Sequence, residues 1–303
     1  MKKRSIGFIA LMVILVIICA FFLMNHNKDP YEFSGDTLYY SQDRGTPVYE
    51  MTFREQNGSV DVYNINFESR NFLDYKTKIY GLLFMPRDKK NVSGLILLPG
   101  GGGTKEGEYP LALTISKLGY SVLTFDQRGI GETGGVYLGP DQDYPVFLQK
   151  KEPIQHLSVY DSLAAFDILR EIKDDRISID KNNIATIGES MGARYAIIAA
   201  AIDPRLRGVI VISSSGFHVG KSSEPYIPYL TSIDPDHYID KISPNKVFML
   251  HGSNDSVVKL EDAKITYNLA KDPKRFFTAE NCQHGYCDKM YDELKYDLDE
   301  IFR

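Results

Sequence analysis

Between residues 93 and 302 the sequence alternates between two patterns, and this alternation limits the fold more than any other feature. Short apolar runs occupy residues 93–98, 121–125, 183–187, 208–212 and 247–250, and residues 275–278 form a further strand-like run. Between and after them, residues 109–118, 157–172, 191–201, 261–270 and 289–302 carry apolar side chains at helical spacing. A run without polar interruption suits a strand covered on both faces. Strands alternating with helices predict an α/β protein with a mostly parallel sheet and helices on both faces. The earlier segments differ. Residues 48–54 and 60–68 alternate apolar and polar side chains on either side of Asn57-Gly58, which predicts an antiparallel hairpin. Residues 78–85 form a third strand that stops at Pro86. These strands predict an antiparallel N-terminal edge, and residues 46–303 are expected to form one domain.

The N-terminus has its own logic. Lys2, Lys3 and Arg4 precede 19 uncharged, largely apolar residues, 6–24. A helix of that length rises about 28 Å, enough to cross a hydrocarbon core. A basic cluster before it stays cytoplasmic, so the body is expected outside the cytoplasm. Residues 1–28 are therefore expected to be a signal anchor with one transmembrane helix. A cleaved signal peptide ending at Ala20 is the alternative, with Ile18 a poor residue for the cleavage motif. Ile18 also makes lipidation of Cys19 a poor fit. Residues 29–45 are polar and turn-rich, and are expected to be a spacer. The formal charge is −5, and the basic residues at the start lie outside the body. Such a body has no electrostatic footprint for nucleic acid.

The chemistry is concentrated at strand ends. Gly188-Glu189-Ser190-Met191-Gly192 joins a strand to a helix. A nucleophilic serine needs a sharp turn of this kind, with glycines that let neighbouring backbone approach. Ser190 is the expected nucleophile, against the alternative of a structural turn. A serine needs a base, and the base needs a carboxylate to orient it. Asp255 follows the strand at 247–250, and His284 follows the strand at 275–278. They are the expected acid and base. His251 is expected to pack its own loop, and His26, His156, His218 and His237 fit the role less well. Pro99-Gly100-Gly101-Gly102-Gly103 ends the first buried strand. An oxyanion hole from the N–H groups of Met191, Gly101 and Gly102 is expected. A phosphate loop would need a Gly-Lys-Ser/Thr ending that the segment lacks.

With these motifs in order, the sequence from about residue 60 to 303 resembles the α/β-hydrolase superfamily. Asp126-Gln127-Arg128-Gly129-Ile130-Gly131-Glu132-Thr133 resembles that superfamily's Asp-x-Arg-Gly-x-Gly-x-Ser segment, with threonine in the last place. Residues 77–86, and Ile242-Ser243-Pro244 before the strand that reaches His251, resemble the branch of dienelactone hydrolase and prolyl-oligopeptidase-like serine hydrolases. The resemblance implies a serine hydrolase that needs no cofactor and takes a small acyl substrate. Hydrolysis of a carboxylic ester through an acyl-enzyme is expected. A small peptidase or amidase is the alternative, and a binding protein without turnover is a third reading.

Two long segments, 129–156 and 213–245, follow strand ends and are expected to act as cap-like loops. Tyr137, Tyr144, Tyr226 and Tyr229 within them are expected to line the substrate pocket. Cys282 and Cys287 flank His284. A disulfide is expected in an oxidising compartment, with free thiols or a metal site including His284 as alternatives. Asn57, Asn91 and Asn254 begin glycosylation sequons, the last read as coincidence beside Asp255.

Overall fold

The computed structural model describes residues 31–303 apart from 88, 173, 175–177 and 221–223. The expected transmembrane segment, 6–24, lies outside the described residues. Among those residues no helix is long and apolar enough to cross a membrane.

The expected sheet is present. Nine strands run in the order β11-β10-β9-β8-β6-β7-β5-β4-β3. They are β3 (Tyr49–Asn57), β4 (Val60–Phe72), β5 (Tyr75–Pro86), β6 (Val92–Leu98), β7 (Ser121–Phe125), β8 (Ile179–Glu189), β9 (Gly208–Ile212), β10 (Lys246–Gly252) and β11 (Lys274–Ala279). Strands β6 to β11 pair in parallel. Strands β3 to β5 pair antiparallel, and β5 joins β7 antiparallel. In β6, Leu95, Ile96 and Leu97 are wholly buried, because helices cover both faces.

Helices α1 (Tyr109–Leu118) and α7 (Tyr291–Ile301) supply one cover. Their Leu111, Ile115, Leu294 and Leu298 pack with Leu97, Ile187, Ile210 and Leu250 of the sheet. Helices α3 (Ile154–Glu171), α4 (Ser190–Ile202) and α6 (Leu260–Leu269) supply the other. There Leu163, Phe166, Ala196, Ile197 and Ala263 share a core with Ile96, Leu123 and Val209. Full burial of each large apolar side chain stabilises the fold by roughly 1.5–3 kcal/mol. Helix α1 stops where Gly119 turns to φ +113° and its N–H bonds the carbonyl of Ser116.

Residues 31–45 correct the spacer expectation. Strands β1 (Tyr31–Ser34) and β2 (Thr37–Tyr40) form a hairpin laid on the body. Leu38 and Tyr40 are buried. The N–H of Leu38 donates to the Tyr238 hydroxyl at 2.8 Å, and the Tyr40 hydroxyl donates to Glu152 at 2.6 Å. Arg44, with its side chain 2% exposed, bonds Asp167 and Asp203. A polar, charged stretch reads as solvated when its partners lie more than a hundred residues away. Here buried carboxylates take up its charge.

The two expected loops also carry structure. Helix α2 (Pro140–Leu148) lies within the first, and α5 (Tyr226–Ser232) lies within the second, followed by two short 3-10 turns. Asp143 of α2 accepts the N–H groups of Ile154 and Gln155 at 2.9 and 2.8 Å, capping α3.

Candidate active site

Strand β8 ends at Glu189, and α4 begins at the next residue. The turn is sharp enough to hold Ser190 at φ +50°, a left-handed conformation that costs a residue with a side chain about 1–3 kcal/mol. The surrounding structure pins it there. The Ser214 hydroxyl donates to the Ser190 carbonyl at 2.7 Å. A Cβ on Gly192 would lie 2.2 Å from the Leu98 carbonyl oxygen, and one on Gly188 would lie 2.7 Å from the Ala193 nitrogen. Gly192 is therefore required for the turn to close against β6, and Gly188 for β8 to approach the start of α4.

Asp255 lies beyond β10, and its side chain is fully buried. Oδ1 accepts the N–H groups of Val257 and Val258, each at 2.9 Å. Oδ2 lies 2.8 Å from Nδ1 of His284. Burial works against the carboxylate's charge, but these N–H donors and His284 outweigh it and hold Asp255 below the usual carboxylate range. An ionised carboxylate only accepts, so Nδ1 of His284 carries the proton and Nε2 is left as the basic nitrogen.

The acid and base loops interlock. The N–H of Asn254 donates to the Cys282 carbonyl at 2.9 Å, and the N–H of Asn281 donates to the Ser253 hydroxyl at 2.8 Å. Cys282 and Cys287 form a disulfide, with Cα atoms 6.3 Å apart, that encloses the five-residue step containing His284. This answers the expectation of a disulfide over free thiols or a metal site. Behind the loop, the N–H of Tyr286 donates to Oε1 of Glu189 at 2.9 Å. The base loop is thereby tied to the residue preceding Ser190.

The glycine loop closes the other side. The N–H of Gly103 donates to the Gly100 carbonyl at 2.9 Å. A Cβ on Gly100 would sit 3.5 Å from Ser190 Cβ, and one on Gly101 would sit 3.7 Å from Met191 Sδ. Gly102 takes φ +74° and has nothing within 4 Å of its Cβ position. Gly100 thus lies against Ser190, and Gly102, expected in the oxyanion hole, lies in the open.

The Asp126–Thr133 segment supports this loop. Asp126 is fully buried and accepts the Lys105 N–H, the Lys105 ammonium and the Glu132 N–H, each at 2.8 Å. Gln127 donates to the Pro99 carbonyl at 2.7 Å. Arg128 grips Asp161 through Nε and Nη2, both at 2.7 Å. The motif marks Asp126 and Arg128 in the sequence, but their partners emerge only in three dimensions.

Of the four expected pocket tyrosines, Tyr137 approaches the site, with its hydroxyl 3.7 Å from Met191 Sδ. Tyr229 corrects the expectation, and Tyr144 and Tyr226, half-buried, pack beside it. Tyr229 is wholly buried, with its hydroxyl 3.3 Å from Asp143. Tyr144 packs at 4.6 Å on Tyr226 and 5.7 Å on Tyr229, and the Tyr226 hydroxyl donates to Asp141. They join α2 to α5. The remaining described histidines are held structurally. His251 faces the Val258 carbonyl at 2.9 Å, His156 faces Ser232 at 2.7 Å, His218 faces Asp236 and His237 faces Thr37. Among the described residues no group of three or more His, Cys, Asp and Glu side chains is arranged to hold a metal ion.

A family model described as Acetyl xylan esterase (AXE1) matches residues 28–215, well over half of the chain. The match includes the β1–β2 hairpin and Ser190, and ends before Asp255 and His284. The uncharacterized protein YfhR of Escherichia coli O157:H7 is 24% identical over 199 residues, which are 64% of this chain and 63% of that protein. The chain therefore spans under two thirds of that relative's length. An acetyl xylan esterase from Paenibacillus sp. R4 superposes with a TM-score of 0.69 at 15% identity, over 85% of this chain and 90% of that one. Acetyl xylan esterase 1 from Thermoanaerobacterium sp. JW/SL YS485 gives the same score and identity over 90% and 97%. Both share the fold.

Proposed function

The chain belongs to the acetyl xylan esterase family, and from that premise we propose that it is a serine hydrolase of carboxylic esters, working through Ser190, His284 and Asp255. Ser190 Oγ attacks the ester carbonyl while Nε2 of His284 takes its proton. Asp255 keeps the imidazole in the required tautomer and stabilises the imidazolium. N–H groups of Met191 and of the Gly100–Gly103 loop donate hydrogen bonds to the oxyanion. The imidazolium then returns its proton to the departing alkoxide, leaving an acyl-serine. Water, deprotonated by His284, attacks that ester and releases the acid.

The observation that carries this reading is the pairing of His284 with Asp255 on a loop tied to Glu189, next to a serine held at φ +50°. The family's name supplies the substrate class, an acetyl ester of a carbohydrate hydroxyl. The test combines labelling by a fluorophosphonate with turnover of acetylated xylan and p-nitrophenyl acetate. Ser190→Ala is expected to lose labelling and to lose turnover by about a thousandfold or more. Turnover of the variant within tenfold of the parent overturns the assignment.

The reading extends to location. The apolar segment 6–24 anchors the chain and holds the body outside the cytoplasm, where a disulfide such as Cys282–Cys287 persists. Extraction from membranes by detergent but not by high salt is the expected behaviour. Release of the activity by salt alone overturns it.

A further inference from the structure

A groove between β1 and the end of α2 has no part in the chemistry above. Phe33, Phe147, Leu148, Lys150 and Lys151 line it. Phe33 sets its ring edge-on to Phe147 at 4.9 Å and stacks on His156 at 5.7 Å, so β1 is fixed against the end of α2. Leu148, the last residue of α2, is 58% exposed. The chain then folds back. The N–H of Lys150 donates to the Phe147 carbonyl at 2.9 Å, and that of Lys151 donates to the Val146 carbonyl at 3.2 Å. Both lysines are exposed, and among the described residues neither bonds an acid. Glu152, the next residue, is taken by Arg70 at 2.8 Å and by the Tyr40 hydroxyl at 2.6 Å. Glu32 falls on the other face of β1, because side chains alternate along a strand. The groove thus presents a projecting leucine, two half-covered aromatic rings and two positive charges, on a chain whose formal charge is −5.

The occupant follows from where the groove sits in the chain. The apolar segment ends at Met24, and nine residue steps lead from there to Phe33. An extended chain covers at most about 3.5 Å per residue, so Phe33 lies within about 30 Å of the end of that segment. A domain of this length is about 45–50 Å across, from the radius of gyration of compact chains. A tether shorter than the domain brings the side that carries the hairpin to the membrane. The groove is on that side. Leu38 and Tyr40 of the hairpin share the core under α3 and α4, whereas α7 covers the other face of the sheet. An acidic body is repelled by an anionic surface, so it approaches one through its basic residues.

We propose that this groove docks on the headgroup boundary of a bilayer containing anionic phospholipid, with Leu148 inserted beside the upper acyl chains and Lys150 and Lys151 against the lipid phosphates. The bilayer is the one that segment 6–24 crosses, and the inference rests on the reading of that segment as an anchor. Burial of apolar surface and attraction of charge reinforce one another at such a boundary. The lysine stems lie along apolar surface while their ammonium groups stay with the phosphates. Because Phe33 and α2 are packed together, docking here holds the body in one orientation over the membrane.

The chain contains no tryptophan, so Leu148→Trp supplies a single reporter. The full chain carrying it is placed in vesicles of equal parts phosphatidylcholine and phosphatidylglycerol, with bromine on the upper acyl chains of some of the lipid. Its emission is expected to shift to the blue and to be quenched about twofold or more. Tyr296→Trp on α7, across the sheet, is expected to stay unquenched. Adding Lys150→Glu and Lys151→Glu to Leu148→Trp, or using phosphatidylcholine alone, is expected to weaken the quenching several-fold. Melting temperatures establish that each variant is folded, and Gln149→Trp, at the neighbouring exposed position, takes over if Leu148→Trp is not. Absence of quenching in Leu148→Trp overturns the proposal, as does equal quenching in Tyr296→Trp, or quenching indifferent to both the lysines and the lipid charge. A blue shift that brominated lipid does not quench shows a protein occupant, such as a second copy of this chain, and overturns it too. These outcomes leave the anchor standing if the chain stays with the vesicles in high salt. Release by high salt overturns anchor and docking together.

Discussion

Oδ2 of Asp255 stands 2.8 Å from Nδ1 of His284, while Oδ1 of the same carboxylate takes two backbone N–H groups from Val257 and Val258. The acid is thus fixed on its own loop before it orients the base. Asp255→Asn keeps the shape but offers an amide where an ionised acceptor is needed. The imidazole then settles in the wrong tautomer, and kcat is expected to fall by about 10⁴. The loss of stability should be small beside that. Steady-state kinetics with a thermal melt separates the two, and a variant of near-parental kcat would show that another carboxylate orients His284.

Arg44 ties residues 31–45 to the body through Asp167 and Asp203, with nearly all of its side chain buried. Arg44→Met fills the space but leaves Asp167 without its principal partner, while Arg205 still holds Asp203 at 2.6 Å. The expected cost is about 3 kcal/mol, the lower end for breaking a buried pair. Urea unfolding measures it. A change under about 0.5 kcal/mol would mean that the hairpin contributes little to the fold.

Tyr137 and Tyr229 should separate cleanly. Tyr137 is 38% exposed beside Met191 and Gly101, whereas Tyr229 of α5 is wholly buried against Tyr144 and Phe147 of α2. Tyr137→Ala is expected to alter the ratio of kcat/KM for acetyl and butyryl esters by several-fold with little change in melting temperature. Tyr229→Ala is expected to cost about 3–5 kcal/mol of stability, the range for removing a buried aromatic side chain, and to scale both esters equally.

Glu108 also makes stability depend on pH. Its folded value is raised to about 8 from the ordinary 4.5, so between those limits the folded chain holds a proton that the unfolded chain has released. Stability therefore falls as pH rises through this window. Glu108→Gln, which cannot ionise, is expected to melt higher than the parent at pH 8 and about equally at pH 4. A difference that is the same at both pH values would count against burial of an ionisable group here.

The parallel sheet, its antiparallel edge and the order of Ser190, Asp255 and His284 were legible in the sequence. Their signals are local: apolar runs such as 93–98, helical spacing such as 157–172, and glycines where a turn must close. The glycine at 192 is already demanded by the nucleophile turn, although the 2.2 Å approach of the Leu98 oxygen is visible only in the fold. What tertiary structure alone decided are relationships between distant segments. Arg44 looked solvated until Asp167 and Asp203 arrived from 123 and 159 residues away. Tyr229 looked like a pocket wall until α2 covered it. Sequence pattern reports which side chains prefer water or its absence. Whether a buried charge has a partner, and what that does to its proton, depends on distances that only the folded chain sets.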